Sequence, residues 1–467
     1  MTPPTLSRKD PRVEGLRALV VGLGRSGLAA ARLLASKGAR VLAVDRGGEA
    51  EIGAAAAAAR RAGAEVRLGG HPPDLAREAD LVVPSPGVAR GEPLLEAARA
   101  LGVPVWGEVE LAYRFCRGRV VGITGSNGKS TTTSMAGAIL RAAGVPGGTG
   151  GNLGTPFAEL LEHDGEDAVH AVELSSFQLE SLDLFRADVA IVLNLSPDHL
   201  DRYGAYEDYA KAKARLLETQ ADEGHAILDA DDPESSWFDG SVRGRLLRFS
   251  TRTEVPEGAF LRRGCMVARL AGREEEILPA EDLPVPGEHN VANALAAALG
   301  GLLAGCPPEA IARGLRAFRA LPHRLELVGR LDDVAFYDDS KATNLDAAAR
   351  AVASFRPGTV LVILGGKDKG GDWPSLAPLL RAHARAALLV GRAAPGIRSA
   401  LEGAVPLADC GTVGAAVREA YERARPGDVV LLAPGCASFD QYRNFEERGD
   451  DFRRAVESLL PSRGHDA

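Results

Sequence analysis

Eight stretches of this chain share one rhythm: a short run of branched apolar residues, a turn rich in glycine or small polar residues, then an alanine-rich helical stretch. RALVVGLGRSG, ARVLAVD, ADLVVPSPG, GRVVGITGSNGKS, HAVELSS, DVAIVLNLSPD, TVLVILGGKD and DVVLLAPGCAS all begin this way. Apolar runs without alternation, each followed by a helix, are strands covered on both faces, which is the condition of a parallel sheet. The fold class is therefore α/β. At roughly 100–200 residues per domain, 467 residues make about three domains. Breaks near Pro104–Glu108 and Ala320–Pro322 divide the chain into 1–107, 108–320 and 321–467. Between Leu246 and Leu278 the pattern turns irregular and charged, which predicts a small β insertion before a helix near Asn290–Gly305.

Composition narrows the function. Lys and Arg number 55 against 63 Asp and Glu, a net charge of −8, so the chain has no general attraction to nucleic acid or to anionic membranes. Five scattered cysteines without a C-x-x-C pair fit a reducing compartment and no zinc site. No run approaches the ~18 apolar residues of a spanning helix, and the first residues lack the apolar core of a leader. The expectation is a cytoplasmic protein that engages neither nucleic acid nor membrane.

VVGITGSNGKSTTT follows a buried strand and opens a helix, the setting of a phosphate-binding loop. Its glycines let backbone N–H groups wrap phosphates, Lys129 supplies a point charge, and the Ser130 hydroxyl suits Mg²⁺. The spacing departs from G-x-x-x-x-G-K-[ST], because Ile123 stands five positions before Gly128. Gly22, Gly24 and Gly27 form a second glycine turn, with Asp45 closing the next strand at the distance of a ribose-contacting acid. That turn fits a dinucleotide or another pyrophosphate-bearing nucleotide. Glu173 and His199 lie at or just past strand ends, where ligands of open parallel sheets bind, and can serve one metal site. In YEDYAKAKARLLE either Lys211 or Lys213 can point inward; a bare ammonium would repel Mg²⁺, whereas a carbamate formed with CO₂ would be a hard anionic ligand. In the last third, Arg324, Lys341 and Lys369, with the hydroxyls of Ser340, Thr343 and Ser438, suit a carboxylate-bearing small molecule.

In their order, GITGSNGKSTTT, GGNLGTP, VELSSFQLE, NLSPDHLDRYG, HNVANALAA, LPHRLE, DDSKATN, LGGKDKG and CASFDQYRNFEERG resemble the Mur ligases, the ATP-dependent amide-forming enzymes of peptidoglycan precursor assembly. The unusual glycine spacing is that family's form, and DDSKATN with SSFQLE favours its D-glutamate-adding branch. The resemblance implies a Rossmann-like N-terminal domain for a UDP-sugar, a central P-loop ATPase, and a Rossmann-like C-terminal domain for the incoming amino acid. It implies ATP, two Mg²⁺ ions and CO₂ held as a carbamate on Lys213, which follows Tyr209 by the family's four positions. Gly125, Ser126, Asn127, Gly128, Lys129, Ser130 and Thr131 would hold ATP, with Asn293 at adenine, Arg324 at the phosphates and Asp339 at the ribose or metal. Ser130, Glu173, His199 and Lys213 would form the metal site, and Lys129, His199 and Lys213 the catalytic set. Arg25, Ser26, Asp45 and Arg46 would lie near the uridine nucleotide, and Ser85, Gly87 and Asn152 along the substrate's path. Lys341, Thr343, Lys369, Ser438 and Phe445 would surround D-glutamate. The expected activity is addition of D-glutamate to UDP-N-acetylmuramoyl-L-alanine through an acyl phosphate, by a monomer. A folylpolyglutamate-synthetase-like ligase would lack the N-terminal glycine turn, and a P-loop switch would need no acceptor.

Overall fold

Each of the eight apolar runs contains a strand. The computed structural model describes residues 9–152, 154–198 and 200–459. Two compact units result: one holds the described residues up to 282 with 292–318, the other 283–291 with those from 319 onward.

The first unit carries two sheets. Four parallel strands run in the order Glu65–Leu68, Arg40–Asp45, Arg17–Val21, Leu81–Pro84. The second sheet has nine strands, in the order Arg273–Pro279, Cys265–Leu270, Gly258–Arg262, Arg245–Ser250, His225–Asp229, Val189–Val192, Arg119–Thr124, Val169–Glu173, Thr149–Gly151. Every residue of Val169–Glu173 and Val189–Val192 is buried, as expected of strands covered on both faces. The β insertion expected between Leu246 and Leu278 is built as an extension of this sheet: Gly258–Arg262 continues it in parallel, and the last two strands fold back antiparallel. The helix expected at 290–305 runs over Glu288–Leu303.

The second unit holds a six-stranded sheet in the order Glu326–Leu331, Val334–Asp338, Val429–Leu432, Val360–Gly365, Ala384–Val390, Leu407–Gly411. Only the first pair is antiparallel. Val360–Gly365 is buried along its whole length and sits near the centre. Among the described residues no helix is long and apolar enough to cross a membrane.

Within the first unit, helix Glu108–Phe115 is fixed by a buried charge pair. Glu110 accepts from the Arg114 guanidinium at 2.7 Å and from the N–H groups of Asp183, Leu184 and Phe185 at 2.9, 3.0 and 3.1 Å. Arg114 also lies over the Trp106 ring, 4.0 Å from its centroid. Both ionic side chains are at most 1% exposed, so removing one leaves the other charged in a poor solvent. Arg114→Met should lower unfolding stability by about 3 kcal/mol, measured by urea denaturation; a loss below about 1 kcal/mol would show that the pair acts as a surface contact does.

Candidate functional site

Strand Arg119–Thr124 lies between Val169–Glu173 and Val189–Val192, all parallel, so the loops that follow them emerge on one edge of the sheet. The glycine-rich loop turns there into helix Lys129–Ala142. Gly128 takes φ +84°, and a Cβ on it would fall 2.4 Å from Asn293 Oδ1, so the position demands glycine twice over. Side chains from the neighbouring strand end hold the loop rigid. Asn127 N–H donates to Asn194 Oδ1 at 2.8 Å, and the Asn194 amide donates back to the Asn127 carbonyl at 3.1 Å. The Ser126 hydroxyl donates to the Ser196 carbonyl and accepts from the Ser196 N–H, each at 2.9 Å. Ser126 and Asn127 thus serve the shape of the loop. Asn293, expected at adenine, accepts a hydrogen bond from Thr132 Oγ1 at 3.2 Å and lies against the loop. The first turn of the helix, Lys129 to Thr131, aims its N–H groups and positive dipole end at the loop.

Two lysine side chains converge on one carbonyl. Lys129 donates to the carbonyls of Gly125 and Ser126 at 2.9 and 2.8 Å, and Lys213 donates to the same Gly125 oxygen at 2.7 Å. Lys213 is 1% exposed and lies over the Tyr209 ring. Loss of water, then repulsion from Lys129, holds its pKa well below the usual lysine range, against the pull of Asp198 and Glu173. Lys211 is a surface charge beside Asp208, so the structure separates the two lysines that the residue pattern alone left open. Glu173 is 2% exposed. Its Oε1 accepts from the Asn152 amide at 2.7 Å, and its Oε2 is buried with no hydrogen-bond partner among the described residues. An orphaned carboxylate oxygen on the strand paired with the one that leads into the phosphate loop, together with the Ser130 hydroxyl at the start of the loop's helix, is a donor set that fits Mg²⁺, a hard cation that takes oxygen ligands. His199 lies outside the described residues.

A cleft of about 510 Å³ opens beside the first glycine turn. Gly27 packs so closely on that turn that a Cβ would meet the Gly22 carbonyl at 1.8 Å, and Ser85 Oγ donates to the same oxygen at 2.8 Å. All the residues expected along the UDP-substrate path line this cleft: Arg25 and Ser26 from the helix start, Asp45 and Arg46 from a strand end, Ser85 and Gly87 from the next loop, and Asn152. Asp45 differs from its expected ribose role in one respect, since its carboxylate accepts from the Leu23 and Gly47 N–H groups at 2.6 and 2.8 Å and braces the turn. His71 and Glu92 also line the cleft and carried no motif that would single them out, and Gln178 of SSFQLE lines it as well.

In the second unit, the turns after Val334–Asp338, Val360–Gly365 and Val429–Leu432 share one sheet edge. Lys341 lies over the Phe445 ring, 4.0 Å from its centroid. Lys367 bridges to Ala437, which brings the turn carrying Lys369 alongside the segment carrying Ser438. Thr343 N–H donates to the Lys341 carbonyl at 2.8 Å. Arg448, 1% exposed and unflagged by the sequence, ties these turns together by donating to Ser340 Oγ, the Ser340 carbonyl and the Cys436 carbonyl at 2.9, 2.8 and 3.1 Å. Arg324 stands between His323 and Leu325, whose φ values of +61° and +44° are strained for side-chain-bearing residues. The Asp338 carboxylate anchors His323 at 2.7 Å. Loss of water pushes the Asp339 carboxyl up to about 7, against the pull of Arg324.

Three family models cover this chain. The Mur ligase MurD-like N-terminal domain matches residues 16–107, the Mur ligase middle domain 123–300, and the Mur ligase glutamate ligase domain 323–436. The UDP-N-acetylmuramoylalanine–D-glutamate ligase of Acidobacterium capsulatum is 45% identical over 446 residues, covering 95% of this chain and 96% of the relative. The protein of that name from Anaeromyxobacter dehalogenans is 47% identical over 454 residues, covering 95% and 98%. Among solved structures, the pseudomurein peptide ligase type C of Methanothermus fervidus aligns with a TM-score of 0.63 at 19% identity, over 96% of this chain and all of that one, a likeness of fold.

Asp339 generates a pH prediction. Its pKa is raised in the folded state, so the folded chain holds the extra proton and stability falls as pH rises from about 4, the unfolded value, to about 7. Asp339→Asn should flatten this decline and gain about 1 kcal/mol over the wild type by pH 8, read from urea midpoints at several pH values. Parallel curves for the two proteins would exclude the shift.

Proposed function

The chain belongs to the Mur ligase family, and from that membership we propose that it uses ATP to join D-glutamate to the alanyl carboxyl of UDP-N-acetylmuramoyl-L-alanine, a step in building the peptidoglycan precursor. The observation that carries this reading is the glycine-rich loop whose Gly125 carbonyl receives both Lys129 and Lys213, beside the unpartnered Glu173 oxygen. A lysine charge at a phosphate loop, with a carboxylate held in reserve for a cation, suits a triphosphate and its metal.

In the proposed reaction an oxygen of the alanyl carboxylate attacks the γ-phosphorus of ATP, the bond to the β-phosphate oxygen breaks, and ADP departs. The amino group of D-glutamate then attacks the acyl carbon, and the tetrahedral intermediate expels inorganic phosphate as the amide forms and the amine loses its proton. A carboxylate is a poor electrophile at neutral pH, so the phosphoryl group supplies the leaving ability, and the protein's share is positioning and charge neutralisation. Lys129 and the first-turn N–H groups of its helix draw the terminal phosphates into line. Ser130 and Glu173 would hold Mg²⁺, with His199 as a further ligand; when bound, magnesium supplies charge that offsets crowding between the triphosphate and the acceptor. Lys213 enters as a carbamate. Reaction with CO₂ requires a neutral amine, and the burial that depresses its pKa favours that form.

The same proposal assigns the UDP end of the acceptor to the cleft at the first glycine turn. It gives Arg324, Asp339 and Asn293 to the nucleotide, and Lys341, Thr343, Lys369, Ser438 and Phe445 to D-glutamate. Residues 1–107, 108–320 and 321–467 then act as acceptor, ATP and amino-acid domains of a cytoplasmic monomer.

Phosphate release should require Mg²⁺, ATP, UDP-N-acetylmuramoyl-L-alanine and D-glutamate together; release that ignores D-glutamate removes the ligase reading. Lys213→Ala should lower the rate by about 10²–10³-fold, and short carboxylates added to the variant should restore part of it. Full activity without added acid would refute the carbamate, and intact-mass analysis in CO₂-rich buffer checks the modification directly.

A further inference from the structure

Two short helices follow the strands that deliver Glu173 and His199. Strand Val169–Glu173 ends on Glu173 and passes into helix Ser176–Leu179. Reciprocal bonds fix the start of that helix: Gln178 N–H donates to Ser175 Oγ at 3.3 Å, and Ser175 N–H donates to Gln178 Oε1 at 2.9 Å. Glu180 follows at its C-terminal end. The loop after strand Val189–Val192 carries Asp198 and His199 and leads directly into helix Leu200–Tyr203. Asp198 is close enough for its charge to be felt at Lys213 and Tyr209.

Tyr203 joins the two helices. Its hydroxyl donates to Glu180 Oε1 at 2.6 Å, and its ring stacks on Phe177 with centroids 5.9 Å apart. Burial, then the Glu180 carboxylate, push its pKa up, so the phenol keeps the proton it donates. Arg202 adds a second tie, lying 3.8 Å from the Phe177 centroid and 3.6 Å from Glu180 Oε2. The Tyr203 ring also meets Tyr209 at 5.5 Å. Tyr209 in turn packs against Lys213, and its hydroxyl is bonded to Ser126 of the phosphate loop at 3.2 Å.

We propose that Tyr203 is a positioning residue for the cation site: by bonding Glu180 it holds the loop that carries His199 against the helix that follows Glu173. This rests on the reading of Ser130, Glu173 and His199 as the residues that hold Mg²⁺. Magnesium demands near-ideal octahedral geometry, so groups delivered by two different strands must be kept in register. Glu173 is fixed by its buried strand and by the Asn152 amide. The loop that carries His199 is anchored on one side by the Ser126–Ser196 bonds and on the other by Arg202 and Tyr203. A tyrosine suits this second anchor, because its ring packs while its hydroxyl fixes a direction. The role is one of placement, exerted through the segment that Tyr203 holds.

The test is Mn²⁺ binding to the full chain, with free ion counted by electron paramagnetic resonance and circular dichroism as the control for folding. Mn²⁺ takes the kinds of ligand that Mg²⁺ takes. Tyr203→Phe, which keeps the ring and removes only the hydroxyl, should weaken Mn²⁺ about tenfold. Glu180→Leu should do the same, whereas Glu180→Gln, which keeps an oxygen for the phenol, should stay within about threefold of the wild type. Because Tyr203 acts through the His199 segment, adding Tyr203→Phe to His199→Ala should change the affinity by less than about twofold. Unchanged Mn²⁺ binding in Tyr203→Phe, or the same loss with and without His199→Ala, overturns the positioning role while leaving the cation site as read. Mn²⁺ binding indifferent to both His199→Ala and Glu173→Gln overturns the cation site itself, and this proposal with it.

Discussion

Two lysine side chains donating to one carbonyl oxygen, that of Gly125, set the terms for the rest of the central site. Burial and the neighbouring Lys129 charge depress the Lys213 pKa, and the arrangement persists because the loop around the two side chains is over-determined. Asn194 clamps Asn127 from two directions, Ser126 is locked to Ser196, and Gly128 is pressed against Asn293. A loop held this firmly keeps Lys129 in place, and donors fixed in this way stabilise charge without having to reorganise.

Parallel sheets explain why the chemistry gathers where it does. Each sheet delivers its loops to the carboxyl ends of the strands, so residues far apart in sequence meet without long connections. Glu173 and the Lys129 loop come from adjacent strands of the nine-stranded sheet. Lys341, Lys369 and Ser438 come from neighbouring strands of the six-stranded one. Gly22, Asp45 and Ser85 mark the same edge of the four-stranded sheet. One architectural rule thus builds three polar edges.

Legibility followed physical type. Central strands were readable because burial on both faces forces continuous apolar runs, as in Val360–Gly365. The edge strand Glu65–Leu68 was not, since alternate exposure lets it carry Glu65 and Arg67 as a loop would. The phosphate loop announced itself because backbone geometry restricts which residues can stand there. Asp45 stands at a strand end that lines the cleft, and its carboxylate is engaged by two backbone N–H groups, a use that spacing cannot reveal. Arg448 looks like a solvated charge in a polar helix, and only the folded turns around Ser340 and Cys436 show why it is buried. His71 and Glu92 come from segments separated by a whole strand and share no periodicity, so their pairing exists only in three dimensions.

Asn152 belongs to two places at once: it lines the cleft of the first glycine turn and its amide is bonded to Glu173 at the phosphate loop. A group in the cleft that drew this amide toward itself would leave both Glu173 oxygens without a hydrogen bond and open to a cation. One rotatable side chain thus ties the lining of the cleft to the carboxylate at the phosphate loop.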